Sequence, residues 1–114
     1  MNKIVYEKLN EVARSGTTIP YTDLKNECNL NLDFDNIKDR NEIAHILGEI
    51  SRYEHKNNRP LLSAIAVKKG SHPPDPADGF YNLVDELGLR SKGEDRKIFF
   101  AKELRKAFEY WKNN

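Results

Sequence analysis

The sequence predicts a mostly helical α+β fold, and three observations carry that expectation. Apolar residues recur at helical spacing in four separate stretches of the 114-residue chain. One short apolar run, "LLSAIAV", carries bulky residues on alternate positions, as a strand does. Glycines, asparagines and prolines separate these pieces, where turns are easiest to make.

The first helix is expected from residue 3 to about 15, with Val5, Leu9, Val12 and Ala13 on one side and Gly16 as its left-handed stop. "TTIPY" then favours extended backbone, because Pro20 pushes Ile19 out of the helical region. Thr22 is placed to cap a second, shorter helix through "DLKNEC", ending at Asn29. Leu30, Leu32 and Phe34 pin the following loop to the core. Asp39 and Glu42 form a capping-box pattern at the head of a third helix, whose stripe of Ile43, Leu47 and Ile50 ends near Lys56. In "LLSAIAV", Leu61, Ile65 and Val67 face one way and Leu62, Ala64 and Ala66 the other, a strand covered on both sides.

The next segment, "KKGSHPPDPADGF", holds three of the five prolines, a histidine and two aspartates within seven residues. Such a stretch cannot pair as a central strand, so it is expected to project as an ordered loop ending at Gly79. "GFYNLVDELG" reads as a short helix with Phe80, Leu83, Val84 and Leu87 on one face and Gly88 as its stop. Ser91 and Glu94 form a second capping-box pattern, and Ile98, Ala101, Leu104, Phe108 and Trp111 supply the stripe of the last helix. Ile43, Leu47, Ile50, Ile65, Val67, Phe80, Leu83 and Trp111 are expected to share one core.

Length and patterning predict one domain over residues 1–114, and the charged residues, 32% of the chain, are too interspersed with apolar clusters for disorder. No apolar run approaches the roughly 20 residues that span a bilayer, and the N-terminal stretch lacks the apolar core of a signal peptide. The lone Cys28 has no internal disulfide partner. A cytoplasmic protein without membrane contact is expected. Nineteen basic against eighteen acidic residues give a net charge of +1, without the basic excess usual in proteins that hold many phosphates.

"GTTIPYTDL" before a long helix, followed by "RPLLSAIAV" and a "P…GF…LG" segment, resembles small winged-helix-like domains of bacterial and phage proteins, some of them linked to defence or mobile elements. The resemblance implies three helices, a small sheet and further C-terminal helices. A more distant scaffold likeness is to the DNA-binding domain of alkylated-DNA alkyltransferases. That family accepts its alkyl group on a Pro-Cys-His-Arg motif, and the comparable "NRPLLSAIAV" has no cysteine, so alkyl transfer is not implied.

No catalytic, cofactor-binding or metal-binding residue is expected. His72, Asp75 and Asp78 have metal-ligand chemistry but lack a second His or Cys at a short spacing. His45 and His55 do not share a face suited to one ion, and the acidic pairs lie beside no nucleophile or phosphate loop. Two functional classes follow. One is a non-enzymatic regulatory or interaction module acting through protein contacts. The other is a winged-helix DNA-binding protein using the third helix, about 40–56, and the loop 68–79. Either would use Arg52, Lys56, Arg59, Lys68, Lys69 and His72 as its contact residues, with Lys68 and Lys69 at the base of a wing.

Overall fold

The computed structural model describes residues 1–114. Helix α1 (Lys3–Arg14) leads through the short strand β1 (Ile19–Pro20) into α2 (Tyr21–Glu27) and the long α3 (Ile37–Lys56). A single turn of 3₁₀-helix (Leu62–Ile65) runs into β2 (Ala66–Val67), and α4 (Asp78–Glu86) and α5 (Arg96–Lys112) complete the chain. The mostly helical α+β expectation stands. The sheet has only two strands, parallel, with Ile19 opposite Ala66 and Pro20 opposite Val67. Parallel pairing requires a long crossover, here α2, α3 and the 3₁₀ turn. After β2 the chain passes into the proline loop and then α4, with no returning strand to form a hairpin.

The helix starts obey capping chemistry, at positions partly different from those expected. Asn2 caps α1, its side chain accepting from Val5 N–H at 3.0 Å. Helix α2 begins at Tyr21 behind Pro20, with no side-chain cap, and the Thr22 hydroxyl is buried without a partner. Helix α3 is capped by Asn36, which accepts from Lys38 N–H at 2.8 Å. Asp39 is therefore already inside the helix, and its carboxylate accepts from Asp33 N–H at 2.7 Å instead of closing a box with Glu42. Ser91 N–H does donate to Glu94, at 3.2 Å, but this closes a turn before the helix; Asp95 caps α5 through Lys97 N–H and Ile98 N–H. Asn29 supplies the left-handed stop after α2, with φ of 54°.

The segment expected as a full strand curls instead. All seven residues from Leu61 to Val67 are buried, so the expectation of cover on both sides holds while the conformation differs. The cause is tertiary. Leu61 N–H donates to the Glu103 carboxylate at 2.8 Å, and Ser63 N–H donates to the Ser51 hydroxyl at 3.0 Å. Backbone donors that a strand would give to a neighbour are taken by side chains of α5 and α3.

That curl also replaces the expected single core with two clusters. Near three residues per turn, positions three apart share a face. Leu61, Ala64 and Val67 join Phe80, Tyr81, Val84, Phe99 and Phe100, between α4 and α5. Leu62 and Ile65 join Val5, Leu9, Leu24, Ile43, Leu47, Ile50 and Trp111, between α1, α2, α3 and the end of α5. Leu83 is buried outside both clusters.

Helix α5 is rotated from its expected phase. Phe99, Phe100, Glu103, Ala107 and Trp111 face inward, whereas Ile98 is 54% exposed and Ala101 lies on the surface. Phe100 meets Phe80 edge-to-face at 5.5 Å between ring centroids, and Glu103 is turned in by its bond to Leu61. Two large rings and one satisfied carboxylate outweigh the burial of Ile98.

Candidate interaction surface

The proline loop is closed on itself rather than freely projecting. Lys68 N–H donates to the Asp75 carbonyl at 2.9 Å. The Ser71 hydroxyl donates to the Lys68 carbonyl at 2.7 Å and accepts from Asp75 N–H at 3.1 Å. Pro76 is fully buried, and Ala77 N–H donates to the Tyr21 hydroxyl at 2.8 Å, which staples the loop to α2. The loop thus ends at Ala77, two residues before the expected Gly79, and α4 begins at Asp78. Its exposed tip is His72 and Pro73.

Asp75 organises the inner side of this loop. Its carboxylate pairs with the Lys68 ammonium at 3.0 Å and accepts from the Tyr81 hydroxyl at 2.9 Å. Burial pushes the Asp75 carboxyl up, but the Lys68 and Tyr81 bonds, with the nearby charges of Lys68 and Lys97, outweigh it and hold the group below its ordinary range. Burial and then the bond to Asp75 push the Tyr81 phenol well above its ordinary value, and burial pushes Tyr21 up to about 12. The Arg96 guanidinium lies 3.9 Å over the Tyr81 ring and pairs with Asp78 at 3.3 Å.

Between this loop and α5 runs a groove of about 530 Å³. Its floor is Tyr81, Phe100, Leu104 and Phe108. One rim is the loop with His72, and the other is α5 with Lys97 and Arg105. Neither Lys97 nor Arg105 is ion-paired; the α5 pairs involve Arg96 and Lys102. A second groove, of about 620 Å³ between α3 and α4, is lined by Ala44, Leu47, Gly48, Phe80 and Leu83, with Arg40 at its edge.

The six residues expected to form one contact patch are divided by the fold. Arg52 binds Glu86 of α4 at 2.9 Å, and Arg59 binds the fully buried Glu54 at 2.6 Å while lying over the Tyr53 ring. The Glu54 bond raises the Arg59 guanidinium, and burial with Glu54 beside it pushes the Tyr6 phenol up to about 12. Lys68 is held by Asp75. Lys56, Lys69 and His72 are exposed and form no ion pair, and of the six only His72 lines the loop groove.

The other singled-out residues are similarly occupied. Asp75 and Asp78 are bound by Lys68 and Arg96, and no three metal-ligating side chains come together. His45 sits 3.3 Å from Glu49 on the exposed side of α3. Cys28 is buried, which pushes its thiol up, away from the reactive thiolate form.

Lys97, Arg105 and Phe108 line the candidate groove, and sequence reasoning did not single them out as contact residues. A signal for them exists: α5 carries Arg96, Lys97, Lys102, Arg105, Lys106 and Lys112 against only Glu103 and Glu109. Because Glu103 is buried against Leu61, the outward face of α5 concentrates positive charge in a chain that is almost neutral. Comparison with family models, with curated proteins and with solved structures gives no match for this chain. No helix is long and apolar enough to cross a membrane.

Proposed function

We propose that the protein is a non-enzymatic interaction module that works through protein contacts at the surface formed by the proline loop and α5. The observation that carries this reading is the allocation of charge. Arg52, Arg59 and Lys68 are held by Glu86, Glu54 and Asp75, so of the cations expected to hold phosphates as one patch only Lys56 and Lys69 are unpaired. Two further unpaired cations, Lys97 and Arg105, border an apolar groove, and concave apolar floors with a few polar rim groups are typical of recognition sites. The winged-helix likeness enters only as the order of α1, β1, α2 and α3, because β2 runs parallel to β1 and no hairpin follows it.

The competing reading is DNA binding through α3 and the loop. It is tested by fluorescence anisotropy of a labelled random-sequence duplex across a salt series. The protein-contact reading expects no association tighter than about 10⁻⁴ M near physiological salt, the weak end of non-specific binding. Submicromolar association that falls steeply with salt would establish multiple phosphate contacts and overturn it.

A further inference from the structure

We infer that the groove between the proline loop and α5 takes a short acidic peptide segment carrying a large apolar anchor. The inference rests on the protein-contact reading and specifies its partner. The floor is apolar and concave, formed by Phe100, Leu104 and Phe108 beneath a rigid loop. The loop needs little ordering on binding, because Lys68, Ser71 and Asp75 already bond across its neck and Pro76 is buried. One rim is cationic, with Lys97 and Arg105, and His72 faces it from the loop.

Charge complementarity selects the occupant. Lys97 and Arg105 stand two helical turns apart on one face of α5, neither ion-paired, and Ala101 between them keeps the rim low. The one carboxylate in the groove, Asp75, is already neutralised by Lys68 and bonded by Tyr81. An entering peptide therefore meets two cations that form no ion pair, Lys97 near the already paired Asp75, and no unpaired carboxylate. Acidic residues flanking an apolar side chain match that pattern, with the anchor on the floor and carboxylates on the α5 rim.

A single-stranded nucleic acid would also answer to cations beside aromatic rings, but it needs ring faces on which bases stack. Tyr81 and Phe100 are 6% and 3% exposed, and Phe108 is half-buried, so the floor leaves little ring surface open for base stacking. A peptide side chain fits such a floor.

The test is selection of a displayed random peptide library on the full chain, followed by anisotropy with the enriched peptides. The expected result is enrichment of sequences in which Asp or Glu flank an aromatic or large aliphatic residue. Their affinity should fall about tenfold in Lys97→Glu/Arg105→Glu, and more weakly with added salt. Both positions are exposed, so circular dichroism should show an unchanged fold, and Lys92→Glu, on the turn before α5, serves as the charge control. Enriched peptides without acidic residues, or binding that the double variant leaves intact, overturn the groove assignment while leaving a protein-contact module standing. No enrichment overturns the groove assignment as well, and tight, salt-sensitive binding of a labelled single-stranded oligonucleotide beside it overturns both.

Discussion

The Glu103 carboxylate accepts the backbone N–H of Leu61 at 2.8 Å, and both residues are buried. This bond joins the middle of α5 to the start of the 3₁₀ turn and so fixes the rotation of the helix that carries Lys97 and Arg105. Glu103→Leu would leave the Leu61 donor buried and unpaired, at a cost of about 1–3 kcal/mol. Glu103→Gln keeps an acceptor and should cost clearly less. Urea denaturation of the two variants checks this, and equal losses would show that the bond contributes nothing beyond packing.

The Glu54 carboxylate is a buried charge with Arg59 as its one ion-pair partner and the Tyr6 hydroxyl beside it. Glu54 is fully buried and Arg59 reaches it at 2.6 Å, closing the end of α3. Arg59→Met should destabilise by roughly 3–5 kcal/mol, because an uncompensated carboxylate stays inside. Adding Glu54→Leu should recover much of that loss, since an apolar pair of similar volume avoids the desolvation cost. A double variant as unstable as Arg59→Met alone would place the loss in the stacking of Arg59 on Tyr53 instead.

The elements that were legible in the sequence are those whose apolar stripe has one solution. In α1, Val5, Leu9 and Ala13 allow no second face, and in α3 the stripe through Ile43, Leu47 and Ile50 is equally unambiguous. The segment from Leu61 to Val67 is apolar throughout, so periods of two and three both fit it. What decides between them, Ser51 and Glu103, lies 12 and 42 residues away from its bonding partner. In α5 two stripes compete, one through Ile98 and one through Phe99, and they converge on Trp111. Glu103 reads as an outward residue until its partner is known. The candidate groove was hidden for the same reason. His72 was visible as a loop residue, but Lys97 and Arg105 become its neighbours only once α5 is rotated to bury Glu103.

The phase of α5 gives the next prediction. Ile98→Lys should change stability by no more than about 0.5 kcal/mol, as exposed substitutions do. Phe100→Ala should cost about 3–5 kcal/mol, since the ring is 3% exposed and packs against Phe80. Thermal or chemical denaturation separates the two. A large loss at Ile98 with a small one at Phe100 would restore the stripe expected from sequence and move Lys97 and Arg105 away from the groove.

Asp75 links the loop's rigidity to pH. Its carboxyl is held below the ordinary range, because the bonds from Lys68 and Tyr81 outweigh the upward push of burial. A carboxyl lowered on folding binds protons more readily in the unfolded chain, where its value is about 3.9. Its contribution to stability is therefore present above about pH 4 and is lost as pH falls through the folded value. Asp75→Asn cannot ionise, so it should lack this contribution at neutral pH. The gap in thermal midpoint between the two proteins should then be widest near neutrality and narrow below about pH 4. Because Lys68 is released from its pair in the variant, amide exchange at Lys68 and at position 75 should quicken at neutral pH while that of α1 stays slow. A midpoint gap that stays constant from about pH 6 to pH 2 would mean that Asp75 holds the loop by hydrogen-bond geometry alone, without help from its charge.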